Sequence, residues 1–94
     1  MIGRRIPLPE SGDPNEVIFD LAPGDYCGPI EGYTGGKPAV FFVLPDGKGG
    51  IRHVVSPPHV FTEQPDGSLE IRASILADTG WHGFLDAGHV WREC

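Results

Sequence analysis

The chain has 94 residues, a length that fits one domain with a single small core. Its formal net charge of −6 disfavours direct binding to nucleic acid or to an anionic membrane, because both require clustered lysine and arginine. Glycine and proline contribute 14 and 10 residues, a content close to that of disordered chains. The apolar residues occur in short dense runs, however, and these favour an ordered, turn-rich β protein.

The N-terminal segment lacks the pattern of a secretory signal. Arg4 and Arg5 are present, but the apolar run of a signal peptide does not follow them. No stretch of the sequence reaches the roughly 20 apolar residues of a membrane span. We therefore expect a cytoplasmic protein with a single domain over residues 1–94. The sequence leaves open whether residues 1–16 form an irregular arm.

Residues 13–22 carry mixed signals. Asp13 is a candidate helix cap, and Pro14 suits a first helical position. The apolar run that follows, "VIFDL", is short and rich in β-branched and aromatic residues, and a Pro-Gly pair ends it at once. We predict a strand in this segment.

Residues 24–38 form a glycine-rich connection that bears Tyr26 and Tyr33. At this length the segment is either an irregular arm or two short strands that the sequence marks poorly. Long unpaired loops often carry function, so both tyrosines are candidate partner contacts.

The second half of the chain predicts three β-hairpins with similar turns. The first joins residues 39–44 to 51–55, the second joins 60–63 to 69–75, and the third lies within 81–93. Sequences such as Pro-Asp-Gly and Asp-Ala-Gly suit three-residue loops that end in a left-handed glycine. Because the run "AVFFVL" is apolar without alternation, we expect a central strand that is buried on both faces. The predicted fold is all-β: a small antiparallel meander or roll, or a partly closed barrel, of consecutive hairpins with little or no helix.

The turn of the second hairpin fixes its register. Phe61 should pair with Ile71 and Glu63 with Leu69 on one, mostly apolar face, which leaves the other face mostly polar.

The third hairpin has a nearly mirror-symmetric sequence, "WHGFLDAGHVW". A loop at residues 86–88 pairs Leu85 with His89 and Gly83 with Trp91, so that Trp91 covers the bare backbone of the glycine. A two-residue turn is the alternative, and it would place both histidines of this stretch on one face at opposite ends. Neither register lets the two histidines share a metal ion.

The residues that could bind a metal, act as a nucleophile or bind phosphate lack the spacing that such sites require. The possible zinc ligands are Cys27, His53, His59, His82, His89 and Cys94. They contain no tight pair such as Cys-x2-Cys, and the cysteines are expected to be reduced thiols. Ser56 lacks a nucleophile elbow, and "GYTGGKP" lacks the spacing of a phosphate loop. We therefore predict no metal, no cofactor and no catalysis.

The negative charge is unevenly distributed. Six carboxylates occur before any further lysine or arginine: Glu10, Asp13, Glu16, Asp20, Asp25 and Glu31. This stretch is either a solvated face, or an acidic surface that docks on a basic partner or occupies a nucleic-acid channel.

Part of the second half resembles a type of small, uncharacterised β-rich protein of bacteriophages and prophages. The matching positions are Phe61, the Asp66-Gly67 turn, Ser74-Ile75, Trp81-His82-Gly83-Phe84, Gly88 and Trp91. The likeness covers residues 59–91 only, and it implies a phage gene and a compact β domain. The first 38 residues have no counterpart in it.

These observations favour a non-catalytic, phage-type protein-binding module that occludes a host protein, for example a defence component. The predicted partner-binding residues are Trp81, Trp91, Tyr26, Tyr33, Asp20, Asp25 and Glu31, because interface cores are rich in aromatic side chains. A different interpretation is that both tryptophans belong to the core and the tyrosines to an ordinary surface. A structural or virion-assembly homo-oligomer and a small-ligand or zinc-binding accessory protein are the alternative functions.

Overall fold

The computed structural model describes residues 1–94 and places eight strands in two four-stranded sheets. The elements are β1 (Arg4–Arg5), α1 (Asn15–Ile18), β2 (Asp25–Thr34), β3 (Lys37–Val43), β4 (Ile51–Val55), β5 (Val60–Glu63), β6 (Leu69–Leu76), β7 (His82–Asp86) and β8 (Val90–Glu93). The first sheet has the order β1-β2-β3-β4, and the second has the order β5-β6-β7-β8. The prediction of an all-β meander is confirmed, with two open sheets in place of a closed barrel.

The core lies between the two sheets. Val40, Phe42 and Leu44 point from the first sheet toward Leu69 and Ile71 of the second. The other face of β3 carries Ala39 and Phe41, which pack beneath α1 in a second, smaller cluster. This strand is therefore covered on both sides, as its unbroken apolar sequence predicts.

Residues 24–38 are mostly one long strand, β2, and the turn that follows it. β2 pairs with β3 through two register shifts and reaches the Thr34↔Lys37 pair, where two glycines close the turn. One shift lies at Gly28, whose φ is 125° and where a Cβ would lie 2.8 Å from the carbonyl oxygen of Ala39. Glycine is required there. The register shift interrupts the alternation of side chains along β2, so the sequence does not indicate a strand clearly.

The predicted strand at residues 13–22 is wrong, because the segment forms the single helical turn α1. The Asp13 carboxylate accepts a hydrogen bond from the backbone N–H of Asn15 at 3.0 Å, and Pro14 precedes the turn in helical conformation. One turn is enough to bury Ile18 against Ala39 and Phe41. The start signal therefore prevails over the β propensity of the residues that follow it.

The second hairpin has the predicted register, with Phe61 opposite Ile71 and Glu63 opposite Leu69. The third does not. His89 adopts a left-handed φ of 63°, which moves the loop to residues 87–89.

The third hairpin consequently pairs Leu85 with Trp91 and Gly83 with Glu93. The ring of Trp81, and not that of Trp91, lies over Gly83. Trp91 faces the core, where its indole N–H donates a hydrogen bond to the Gly24 carbonyl at 2.8 Å.

The N-terminal residues join the two sheets. β1 is parallel to β2, while Ile2 forms a bridge with Val90 of the second sheet. The Gly3 N–H donates to the His89 carbonyl at 2.7 Å, and the Trp91 N–H donates to the Met1 carbonyl at 2.8 Å. The start of the chain is thus part of both sheets.

Gly83 offers a direct test of the packing in the third hairpin. A Cβ at this position would lie 2.2 Å from the Arg92 carbonyl oxygen and 2.7 Å from Cη2 of Trp81. Gly83→Ala should therefore lower the free energy of unfolding by about 2 kcal/mol, measured by urea denaturation. Thr62→Ala on the exposed face of β5 is the control, with an expected change within about 0.5 kcal/mol. Equal stability of the two variants would contradict this packing.

Candidate functional site

Three of the predicted partner-binding aromatics lie in the core. Trp81 and Trp91 are 5% and 3% exposed, and Tyr26 is fully buried. Both tryptophan rings meet edge to face with centroids 5.9 Å apart. These side chains stabilise the sheet contact and present almost no surface to a partner.

Tyr26 and His89 form a polar contact between the sheets. The Tyr26 hydroxyl lies 2.6 Å from His89 Nδ1 and accepts a hydrogen bond from the Leu69 N–H at 3.3 Å. Burial raises the pKa of Tyr26. His82 lies elsewhere, with its Nε2 2.9 Å from the Ser74 hydroxyl. The two histidines of the symmetric stretch thus have separate structural partners.

No group of three or more His, Cys, Asp or Glu side chains is arranged to hold a metal ion. Cys27 is buried and Cys94 exposed, and both are free thiols. Burial raises the pKa of the Cys27 thiol, which opposes formation of the thiolate.

An open, polar cleft of about 500 Å³ lies between the β3–β4 loop and the turn before β7. Asp46, Lys48, Thr79 and Glu93 contribute to its walls. The Thr79 hydroxyl is buried without a hydrogen-bond partner.

Every arginine of the chain forms an ion pair inside the molecule. The pairs are Arg4–Asp25, Arg5–Glu63, Arg52–Asp78, Arg72–Glu70, Arg72–Asp86 and Arg92–Asp86. Asp25, a predicted partner contact, is buried, and its carboxylate accepts hydrogen bonds from Arg4 and from the Ala22 N–H. It belongs to the fold and not to the surface.

The other five carboxylates of the acidic stretch are exposed and form no ion pair. They are Glu10, Asp13, Glu16, Asp20 and Glu31. Glu16 accepts a hydrogen bond from the Ser11 hydroxyl, which is neutral and leaves the charge in place. The arginines are all engaged elsewhere, and Lys37, opposite Thr34 at the start of β3, forms no ion pair. Five carboxylates against this one lysine leave the region with a net negative charge.

Exposed aromatic side chains occur in the same region. Phe19 directly follows α1 and is 71% exposed, while its neighbour Ile18 is buried. Tyr33 is 44% exposed and lies edge-on against Phe41, with centroids 4.8 Å apart, and against His53 at 5.0 Å. Because Phe41 packs in the cluster beneath α1, Tyr33 lies on the outer side of the first sheet, the side on which α1 packs. Phe19 follows α1 with most of its ring in solvent.

We call this region the acidic face. It consists of the α1 segment with Glu16, Phe19 and Asp20, together with the end of β2 that carries Glu31 and Tyr33. Of the predicted partner-binding residues, Asp20, Glu31 and Tyr33 are exposed on these two segments. Sequence reasoning missed Phe19, because a strand at residues 13–22 gives no reason for residue 19 to face outward.

In the second sheet, the ring of Phe84 and the carboxylate of Asp86 contact the same two arginines. The guanidinium carbons of Arg92 and Arg72 lie 4.5 and 5.1 Å from the centroid of the Phe84 ring. Asp86 accepts hydrogen bonds from both guanidinium groups at 2.7 Å. The ring and the carboxylate together hold two arginines.

Comparisons with protein-family models, with curated proteins and with solved structures find no match to this chain. None of its helices has the length and apolar character needed to cross a membrane. The case for a function therefore depends on the surface described above.

The hydrogen bonds of Arg72 and Arg92 to the Asp86 carboxylate predict that the stability of the fold depends on pH. Hydrogen bonds from Arg92, and then from Arg72, lower the pKa of Asp86 although partial burial opposes the shift. A carboxyl whose pKa is lower in the folded state stabilises the fold above its unfolded pKa near 4, and this contribution is lost as the pH falls through the folded value.

Asp86→Asn should therefore lower the free energy of unfolding at pH 7 by about 1 kcal/mol, and the difference from wild type should vanish in stronger acid. Urea denaturation between pH 2 and pH 7 measures it. Glu93→Gln, which removes an exposed carboxylate without an ion pair, is the control and should show little change. A difference that is constant over the whole pH range would contradict the assignment.

Proposed function

We propose that this chain is a non-catalytic protein-binding module, encoded by a phage, that occludes a basic surface of a host protein such as a defence component. The observation that carries the proposal is that none of the acidic-face carboxylates forms an ion pair, although every arginine of the chain does. Lys37, opposite Thr34 at the end of β2, is also unpaired, but one lysine does not balance Glu16, Asp20 and Glu31. A basic surface would supply the missing counter-charges.

The acidic face also offers apolar contact. Uncompensated charge increases the rate of encounter with a basic partner, but a buried aromatic anchor contributes most of the affinity of a typical interface. Phe19 is suited to this role because most of its ring is exposed. Its position is fixed by Ile18, which is buried in the cluster with Ala39 and Phe41. A partner would therefore meet a preformed contact at a low cost in conformational entropy.

A homo-oligomeric, structural role is the second candidate. Val60 and Leu76 are exposed apolar side chains of the second sheet, and a second copy would cover them. Light scattering separates the two candidates, since a stable closed oligomer favours the structural role and a monomer favours occlusion.

Capture from a bacterial lysate on the immobilised chain tests the proposal. At moderate salt, wild type should retain a specific host protein, and Glu16→Gln combined with Asp20→Asn should reduce the retained amount about tenfold. Asp46→Asn combined with Glu93→Gln is the matched control, because it removes two exposed, unpaired carboxylates outside the acidic face. Retention should survive in this control.

Two results would contradict the proposal. One is that wild type retains no host protein. The other is that both double variants lose retention equally, which would mean that capture depends on the net charge of the chain and not on the acidic face.

A further inference from the structure

We call Phe84, Asp86, Arg72 and Arg92 the Phe84 unit. It shows how this chain binds arginine side chains internally. Two guanidinium groups contact one ring and share one carboxylate, Asp86. A planar guanidinium can contact a ring and donate two parallel hydrogen bonds to a carboxylate at the same time, and it is more weakly hydrated than an ammonium group.

The acidic face contains the same two components without the cation. Phe19 lies between Glu16 and Asp20 in its segment, and Tyr33 lies near Glu31 on β2. No guanidinium or ammonium group lies over either ring. Because every arginine of the chain is already paired, the molecule itself has no guanidinium to supply. The ammonium group of Lys37, opposite Thr34, lies over neither ring.

We infer that the partner surface that docks on the acidic face is rich in arginine, and that Phe19 and Tyr33 select arginine over lysine. This inference rests on the proposed function and adds the chemical identity of the contacting side chains. Carboxylates alone attract either cation, so the selection comes from the two exposed rings. Lysine would satisfy the charge but would lose the planar stacking contact.

Binding of a hexa-arginine and a hexa-lysine peptide, measured by calorimetry at one salt concentration, tests the inference. Wild type should bind hexa-arginine about five- to tenfold more tightly than hexa-lysine. In Phe19→Leu combined with Tyr33→Leu, which keeps the charges and the apolar bulk, the preference should fall to about twofold. Leu76→Ala, an exposed apolar change on the second sheet, is the control and should leave the preference at its wild-type value.

Equal affinity of wild type for the two peptides would overturn the inference, as would a preference that persists after loss of both rings. Either result leaves the proposed function standing if lysate capture still depends on Glu16 and Asp20. Loss of that dependence would instead remove the proposed function, so the two failures can be distinguished.

Discussion

Arg5 joins the two sheets of this protein and illustrates how its positive charge is used. The guanidinium donates to the Gly28 carbonyl of the first sheet at 2.7 Å, and to the Glu63 carboxylate of the second sheet through two bonds of 2.6 Å. A fourth bond reaches the Gly67 carbonyl. The hydrogen bonds from Arg5 to its carboxylate lower the pKa of Glu63. The backbone hydrogen bonds from the Trp91 N–H of β8 to the Met1 carbonyl, and from the Gly3 N–H to the carbonyl of His89 just before β8, complete the connection.

The same use of arginine leaves the carboxylates of the acidic face without ion pairs. A small domain buries little apolar area, so polar links between its sheets matter for its stability. Arg5 and Arg52 form such links, Arg72 and Arg92 contact Phe84, and Arg4 pairs with Asp25 within the first sheet. The carboxylates around α1 form no ion pair, and Glu16 and Asp20 flank the exposed Phe19 in the sequence. The ion pairs that stabilise the fold therefore also leave the acidic face with its negative charge.

The sequence predicts most of the fold because local turn chemistry and side-chain alternation agree in much of the chain. In the second hairpin, the Pro-Asp-Gly turn and the Phe61↔Ile71 pairing indicate one register, and the structure has it. In the third, the left-handed His89 is held by Tyr26 and Gly3, which are distant in sequence. Local rules cannot anticipate such contacts.

The candidate site was harder to predict than the fold. A strand pattern shows which side chains share a face, but it does not show which face the other sheet will cover. Trp81 and Trp91 were thus equally consistent with a core and with an interface. Phe19 became visible only when α1 replaced the predicted strand. Asp25 is paired and the other five carboxylates of the acidic stretch are not, an outcome that depends on where the five arginines lie in the fold, and no local pattern contains that information.

The most direct test of the account is a hydrogen–deuterium exchange comparison of the free chain with its complex with the captured host protein. The central claim is that the partner covers the acidic face and leaves the second sheet exposed. Exchange should slow in residues 15–21 and 31–34, while the outer strands of the second sheet keep their free rates. Protection confined to β6, β7 and β8, with none around α1, would contradict it.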